Sequence, residues 1–179
     1  MKKDSSYSSL RKSFSVLAGS PIWISIVSFI GVIFLQQNLK VDTASSAVLG
    51  TGAFPFLFGT SQLTLVLSAK TLNLSFIKGM SSVLSIAIGL LLVFFSYFAA
   101  KGRKGFLEGC LVVYGLDTAL SVAALIIGGI GNTPIDPGIA SYIVSPLLHL
   151  IGLVLILYGV ILRKKLEAEE GTEEVSTRK

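Results

Sequence analysis

The sequence predicts an all-α polytopic membrane protein in which four transmembrane helices form a bundle. Only 14% of the 179 residues are charged, and the mean hydropathy is +0.78, whereas an average soluble domain carries about 25% charged residues. The charges are also clustered, because the stretches 13–39, 43–69, 79–100 and 137–162 carry none. A run of about 20 apolar residues is long enough to cross the hydrocarbon core of a bilayer. The composition therefore excludes a soluble enzyme, a disordered tail and a nucleic-acid-binding module.

Residues 1–19 are predicted to form a basic cytoplasmic leader. Tyr7, Leu10, Phe14 and Leu17 recur at spacings of three and four, and lysines and arginines surround them. This spacing indicates a short amphipathic helix lying on the inner leaflet of the membrane. The alternative is a disordered basic leader that only fixes the orientation of the chain.

The membrane domain is predicted to cover residues 20–163. Its first span begins at Ser20, which can cap a helix, and Pro21 suits the first helical turn. Trp23 lies near the start of this span, where interfacial aromatic residues are common. The four predicted spans cover about 20–38, 79–100, 105–130 and 141–162.

The segment 39–78 does not predict a helix clearly. It contains several residues that count against a membrane-spanning helix, four of low helix propensity and one polar: Gly50, Gly52, Pro55, Gly59 and Gln62. Its second half alternates with period two, as a strand hairpin would: Leu63, Leu65 and Leu67, then Leu72, Leu74 and Phe76. The sequence leaves open whether 47–69 is a re-entrant, hairpin or spanning segment.

The distribution of basic residues favours four spans over five. With four spans and a cytoplasmic N-terminus, twelve of the fifteen lysines and arginines lie on the cytoplasmic side, against nine with five spans. We therefore expect a multi-pass protein of the cell membrane with both termini cytoplasmic and the segment 39–78 extracytoplasmic. Residues 164–179 are predicted to be a charged cytoplasmic tail, in which the last helix frays at Gly171.

Two ionisable residues lie inside the predicted spans, Asp117 in the third and His149 in the fourth. Such residues are costly in hydrocarbon and face the protein interior by default. The two spans are consecutive and antiparallel, and at about 1.5 Å per residue both side chains lie roughly 20 Å from the basic inner ends of their helices. We therefore expect the two side chains to be close together.

Asp117 and His149 form a candidate intramembrane polar pair, with Tyr114, Ser121 and Ser145 as supporting residues on the same faces. Small and polar residues at such positions let helices approach and bond across their seam. The pair is interpreted either as a structural hydrogen bond between the two helices or as a proton-titrating or small-ligand site. A metal site is not expected, because the chain has one histidine and one cysteine, and no cofactor is predicted.

The second half of the chain resembles a group of uncharacterised small bacterial membrane proteins with four spans. In these proteins a basic loop precedes a Tyr-x-x-Asp helix, and the last helix carries a histidine before a basic stop. The matching positions here are Tyr114, Asp117 and His149. The first half shows no match, so the resemblance implies an architecture and no activity.

These features predict a non-enzymatic accessory or structural subunit of a larger membrane assembly. Its expected partners are the lipid bilayer and either another membrane protein or further copies of the chain, with no role for nucleic acid. The alternative is an oligomeric small transporter or channel that uses the Asp117/His149 pair. An intramembrane enzyme is a third, weaker hypothesis, because no nucleophile is identifiable beside the single histidine.

Overall fold

The structure is a computed structural model that describes residues 2–41, 47–49, 56–68, 74–130, 135–136 and 139–177. The helices are α1 (Lys2–Ala18), α2 (Ser20–Asn38), α3 (Gly59–Ser68), α4 (Leu74–Ala100), α5 (Phe106–Ile130) and α6 (Ile139–Thr177). Three short strands are β1 (Leu39–Val41), β2 (Ala47–Leu49) and β3 (Ile135–Asp136). β2 pairs antiparallel with β1 and parallel with β3, with Leu39 opposite Leu49 and Ala47 opposite Ile135.

The predicted helical class with four candidate spans is confirmed. Four helical segments are long and apolar enough to cross a membrane: Tyr7–Gln37, Phe76–Ala100, Phe106–Gly128 and Ile143–Glu169. The first of these runs through the junction between α1 and α2, where Gly19 forms a turn. Ser20 does not cap α2 through its side chain, because its hydroxyl donates to the Leu17 carbonyl at 2.8 Å.

The leader is helical, as the first of the two alternatives predicts, and the last helix is longer than the sequence suggests. The leader is a helix, α1, and its apolar residue Phe14 is buried against α6, whose residues Val160, Leu162 and Leu166 belong to the same cluster. At the other end α6 continues to Thr177, so the fraying predicted at Gly171 is not seen. The 39 residues of α6 therefore include both the predicted fourth span and most of the predicted tail.

Helix α3 lies inside the bundle and belongs to the segment 39–78, which the sequence predicts to be extracytoplasmic. This helix packs against α4 and α5. Gln62 within the helix is buried, and so are Leu57 and Phe58 just before it. The hairpin alternative is wrong for Leu63, Leu65 and Leu67, which are helical, and Leu74 opens α4. With 10 residues, α3 is only about 15 Å long, which is half of what a span requires.

The chain before α3 passes so close to its neighbours that two glycines are required. A Cβ atom on Gly59 would lie 1.9 Å from the Asp117 carbonyl oxygen and 2.4 Å from the Ser121 nitrogen, both in the backbone of α5. A Cβ atom on Gly31 of α2 would lie 2.9 Å from the carbonyl carbon of Phe56. These contacts place residues 56–59 between α2 and α5.

Arg163 links three elements at the other end of the bundle. Its Nη2 donates to the Gly102 carbonyl in the α4–α5 loop at 2.8 Å, and its Nε donates to Glu167 Oε1 at 3.0 Å. Its guanidinium also lies over the Phe14 ring of α1, 5.6 Å from the centroid. Gly102 has a φ of 81°, a conformation that glycine adopts readily.

Candidate functional site

Asp117 caps the N-terminus of α3 from the middle of α5. Its Oδ2 accepts from the Gly59 backbone N–H at 2.8 Å, and its Oδ1 accepts from the Thr60 N–H at 3.0 Å and the Thr60 hydroxyl at 2.9 Å. The side chain is buried, with 2% of its surface exposed. A carboxylate usually caps a helix from the residue just before it, but here it comes from a separate helix 57 residues further along the chain.

This cap explains how an acidic residue is accommodated at mid-span. The first N–H groups of a helix have no partner within the helix, and the helix dipole places partial positive charge at that end. The three donors to Asp117 satisfy the carboxylate, and the carboxylate in turn satisfies the start of α3. Each group would be costly to bury without the other.

A second group of polar side chains joins α3 to α5 and α6. The Gln62 amide donates to the Ser145 hydroxyl and to the Leu57 carbonyl, both at 2.9 Å. The Ser121 hydroxyl donates to Gln62 Oε1 at 2.6 Å and lies 3.0 Å from the Ser145 hydroxyl. All three polar side chains are completely buried. We call Asp117, Thr60, Gln62, Ser121 and Ser145 the polar centre.

Serines on the opposite side of α3 bond to α4. The Ser61 hydroxyl donates to the Ser81 carbonyl at 2.8 Å and lies 2.7 Å from the Ser85 hydroxyl. On α2, the Ser25 hydroxyl contacts the carbonyls of Pro21 and Gly89 at 2.8 and 3.0 Å. These serines therefore lie at packing faces between helices, where small polar residues allow close helix contacts.

His149 lies beside Asp117, and the two are not hydrogen-bonded. The imidazole Nε2 is 3.7 Å from Asp117 Oδ2, which is longer than a hydrogen bond. The imidazole Nδ1 is 2.8 Å from the Ser145 carbonyl oxygen, and it carries a hydrogen because a carbonyl can only accept. The ring of Tyr114 stacks on the imidazole, with centroids 5.9 Å apart and an angle of 6° between the planes. In the neutral imidazole, Nε2 therefore carries the lone pair.

A cavity of about 360 Å³ separates α2 from α6. Its floor is formed by Leu57, Phe58 and Tyr114, together with Ser28 and His149, and Gly152 and Leu155 lie on the α6 wall. Val16, Trp23, Val27 and Ile151 form its rim. The volume lies within the range of small-molecule sites in proteins, about 300–1,000 Å³.

Ser28 differs from the other buried serines described above. Its side chain is 2% exposed, and its hydroxyl has no hydrogen-bond partner among the described residues. A helical serine can satisfy its hydroxyl on the carbonyl four residues earlier, as Ser25 does. Ser28 therefore presents an unused donor and acceptor at the cavity wall.

Among the described residues, the structure shows no group of three or more His, Cys, Asp or Glu side chains that could hold a metal ion. Cys110 is buried, and its thiol lies 3.9 Å from the Leu92 carbonyl oxygen within the apolar core. This environment is typical of a packing residue.

The structure brings all five sequence-predicted site residues to one region. Asp117 faces His149, Tyr114 stacks on the imidazole, and Ser121 bonds to Ser145. The sequence interpretation missed what α3 contributes: Gly59, Thr60 and Gln62. Their polar and small side chains, in a charge-free stretch, were the available signal, because buried polar groups need partners.

No protein-family model matches the sequence, and no curated protein or solved structure matches it. The resemblance of the second half to uncharacterised bacterial four-span proteins therefore stays a prediction. The function has to be inferred from the geometry of the polar centre and of the cavity.

Proposed function

We propose that this protein is a non-enzymatic integral membrane protein that acts as an accessory or structural subunit of a larger membrane assembly. The observation that supports this proposal most directly is that the polar centre is committed to the fold. Asp117 accepts three hydrogen bonds from the start of α3, and Gln62 bonds to Ser121 and Ser145. Side chains engaged in this way are not available to activate a nucleophile or to bind a passing solute.

The outer surface of the helices supports the same proposal. Large apolar side chains are exposed on α2, α4, α5 and α6, including Ile33, Val83, Val112 and Ile143, which are 56–67% exposed. In a bilayer such a surface suits lipid, and it also suits a second membrane protein whose helices fit its shape. We expect a partner to cover the exposed face of one or two helices and to leave the others in contact with lipid.

Site-specific photocrosslinking in the native membrane tests this proposal. A photoreactive amino acid is placed at Ile33, Val83, Val112 or Ile143 in separate copies of the full chain, and at the buried Leu92 as a matched control. We expect one discrete protein adduct from adjacent surface positions and none from Leu92. Without crosslinking, the partner protein found in that adduct should co-purify with a tagged chain in mild detergent at a fixed ratio. Surface positions that all yield only lipid adducts, together with a chain that purifies alone, would rule out the subunit role.

The position of His149 favours a second candidate function, an oligomeric small transporter or channel that uses the Asp117/His149 pair. Nε2 lies between the carboxylate of Asp117, 3.7 Å away, and the cavity that His149 lines. A proton held there could pass between the polar centre and a molecule in the cavity. A single bundle of this size leaves little room for an aqueous path, so transport requires more than one copy.

Proton flux into liposomes separates the two candidates. Purified protein is reconstituted with a pH-sensitive dye inside, and a pH step is applied in the presence of a potassium ionophore. Transport predicts flux that both Asp117→Asn and His149→Gln abolish. Because His149→Gln leaves the cap of α3 in place, it tests the proton role without removing the structural role of Asp117. Flux equal to that of empty liposomes would exclude proton transport.

A further inference from the structure

The cavity between α2 and α6 opens between apolar side chains on the surface of the bundle. Its rim residues are apolar and well exposed, with Val16 at 76%, Trp23 at 69% and Ile151 at 48%. The rim lies within the segments that are long and apolar enough to span a membrane. Any occupant of this cavity therefore enters from the bilayer and must itself be soluble in lipid.

The floor of the cavity carries an unused hydrogen-bonding group. The Ser28 hydroxyl is buried and unpartnered among the described residues, although a buried polar group is normally paired. A purely apolar occupant, such as an acyl chain, would leave it unpaired. The hydroxyl is best satisfied by an occupant that carries a hydrogen-bond acceptor.

The walls favour a flat molecule. Trp23, Phe56, Phe58 and Tyr114 contribute aromatic rings to the lining, and aromatic faces pack well against planar rings. Gly152 lies against the Tyr114 ring, where an added Cβ would be only 2.7 Å from the phenol, so Tyr114 is held in place at the cavity floor. The lining therefore combines aromatic surfaces with a donor at one end.

We propose that this cavity binds a lipid-soluble molecule with a planar ring and a carbonyl oxygen, the chemical class to which the isoprenoid quinones belong. The Ser28 hydroxyl donates to the carbonyl oxygen, the aromatic side chains contact the ring, and the apolar tail leaves between Trp23 and Ile151 toward the bilayer. This site is separate from the proposed subunit role and requires no partner protein.

Trp23 provides the measurement, because it is the single tryptophan of the chain and lies at the cavity rim. The full-length protein is placed in nanodiscs of dimyristoylphosphatidylcholine and titrated with a decyl-substituted benzoquinone, which quenches indole fluorescence on contact. We expect saturable quenching that decylbenzene, which has the same tail and no carbonyl, does not compete away.

Variants at Ser28 test the assigned hydrogen bond. Ser28→Ala should weaken binding about tenfold, which is the effect of one neutral hydrogen bond, and Ser28→Thr, which keeps a hydroxyl, should restore it. Ile33→Ala, on the exposed face of the same helix, is the matched control and should bind like the natural chain. Quenching that rises linearly and equally in every variant would mean that the quinone only collides with Trp23 from the bilayer. Saturable quenching that decylbenzene competes away, with no effect of Ser28→Ala, would assign the cavity to an acyl chain and overturn the proposal.

Discussion

Replacing Asp117 by alanine should destabilise the fold more than any other single change in the polar centre. The substitution leaves the N–H groups of Gly59 and Thr60 without an acceptor, and it removes the charge that faces His149. An unsatisfied buried donor costs about 1–3 kcal/mol. Measured interhelical hydrogen bonds in membranes lie lower, at about 0.6–1.7 kcal/mol. For two N–H groups we therefore expect a loss of about 3 kcal/mol in the free energy of unfolding.

The measurement is the unfolding free energy in bicelles, combined with hydrogen exchange at the amides of Gly59 and Thr60. In Asp117→Ala, hydrogen exchange at these two amides should be faster by at least the factor that corresponds to the loss in the free energy of unfolding, because their acceptor is gone. Thr118→Val is the matched control and should cost under about 1 kcal/mol, because among the described residues the Thr118 hydroxyl bonds only within its own helix, to the Tyr114 carbonyl at 2.8 Å. The capping account is wrong if Asp117→Ala costs no more than Thr118→Val and the two amides stay protected.

Three further predictions follow from single contacts. Gly59→Ala should prevent α3 from docking, because its Cβ would lie 1.9 Å from a carbonyl oxygen of α5. Gly79→Ala should leave the yield of folded protein unchanged, because no described neighbour lies within 4 Å of the added Cβ. Without a ligand, Ser28→Ala should raise the free energy of unfolding by about 1 kcal/mol, because it removes a buried hydroxyl that has no partner among the described residues. Ser25→Ala should lower the free energy of unfolding, because it loses contacts to two carbonyls. Denaturant titration in detergent measures both variants. Arg163→Ala should expose the α4–α5 loop to trypsin by removing its bond to that loop, and equal cleavage rates before and after the change would contradict this role.

The positions of the long helices could be predicted from the sequence because each depends on local composition. A charge-free run of about 20 residues with basic ends defines a span without reference to the rest of the chain. The predicted first span, 20–38, coincides with α2, and the third, 105–130, begins one residue before α5. The proximity of Asp117 to His149 followed from equal depth on consecutive helices, which is also a local calculation.

Helix α3 could not be predicted in the same way, because its stability comes from the rest of the bundle. Gly59 disfavours a helix when it is considered alone, and Gln62 is a polar residue in an otherwise apolar stretch. In the structure Gly59 permits the close approach to α5, and Gln62 bonds to Ser121 and Ser145 across the bundle. Tertiary contacts therefore override the intrinsic helix propensity. For the same reason the sequence analysis predicted His149 as the partner of Asp117 and missed the hydrogen bonds by which Asp117 caps α3.

The dependence of α3 on Asp117 has a consequence for how the chain is made. Ribosomes synthesise α3 before α5, so α3 leaves the insertion machinery when its capping carboxylate has not yet been translated. With 10 residues it is too short to be threaded across the bilayer as a segment of its own. It must therefore wait at the membrane surface and enter only after the later helices have been inserted, which makes its docking a late step of biogenesis. Nascent chains arrested before residue 117 should then keep residues 59–68 accessible to water-soluble reagents.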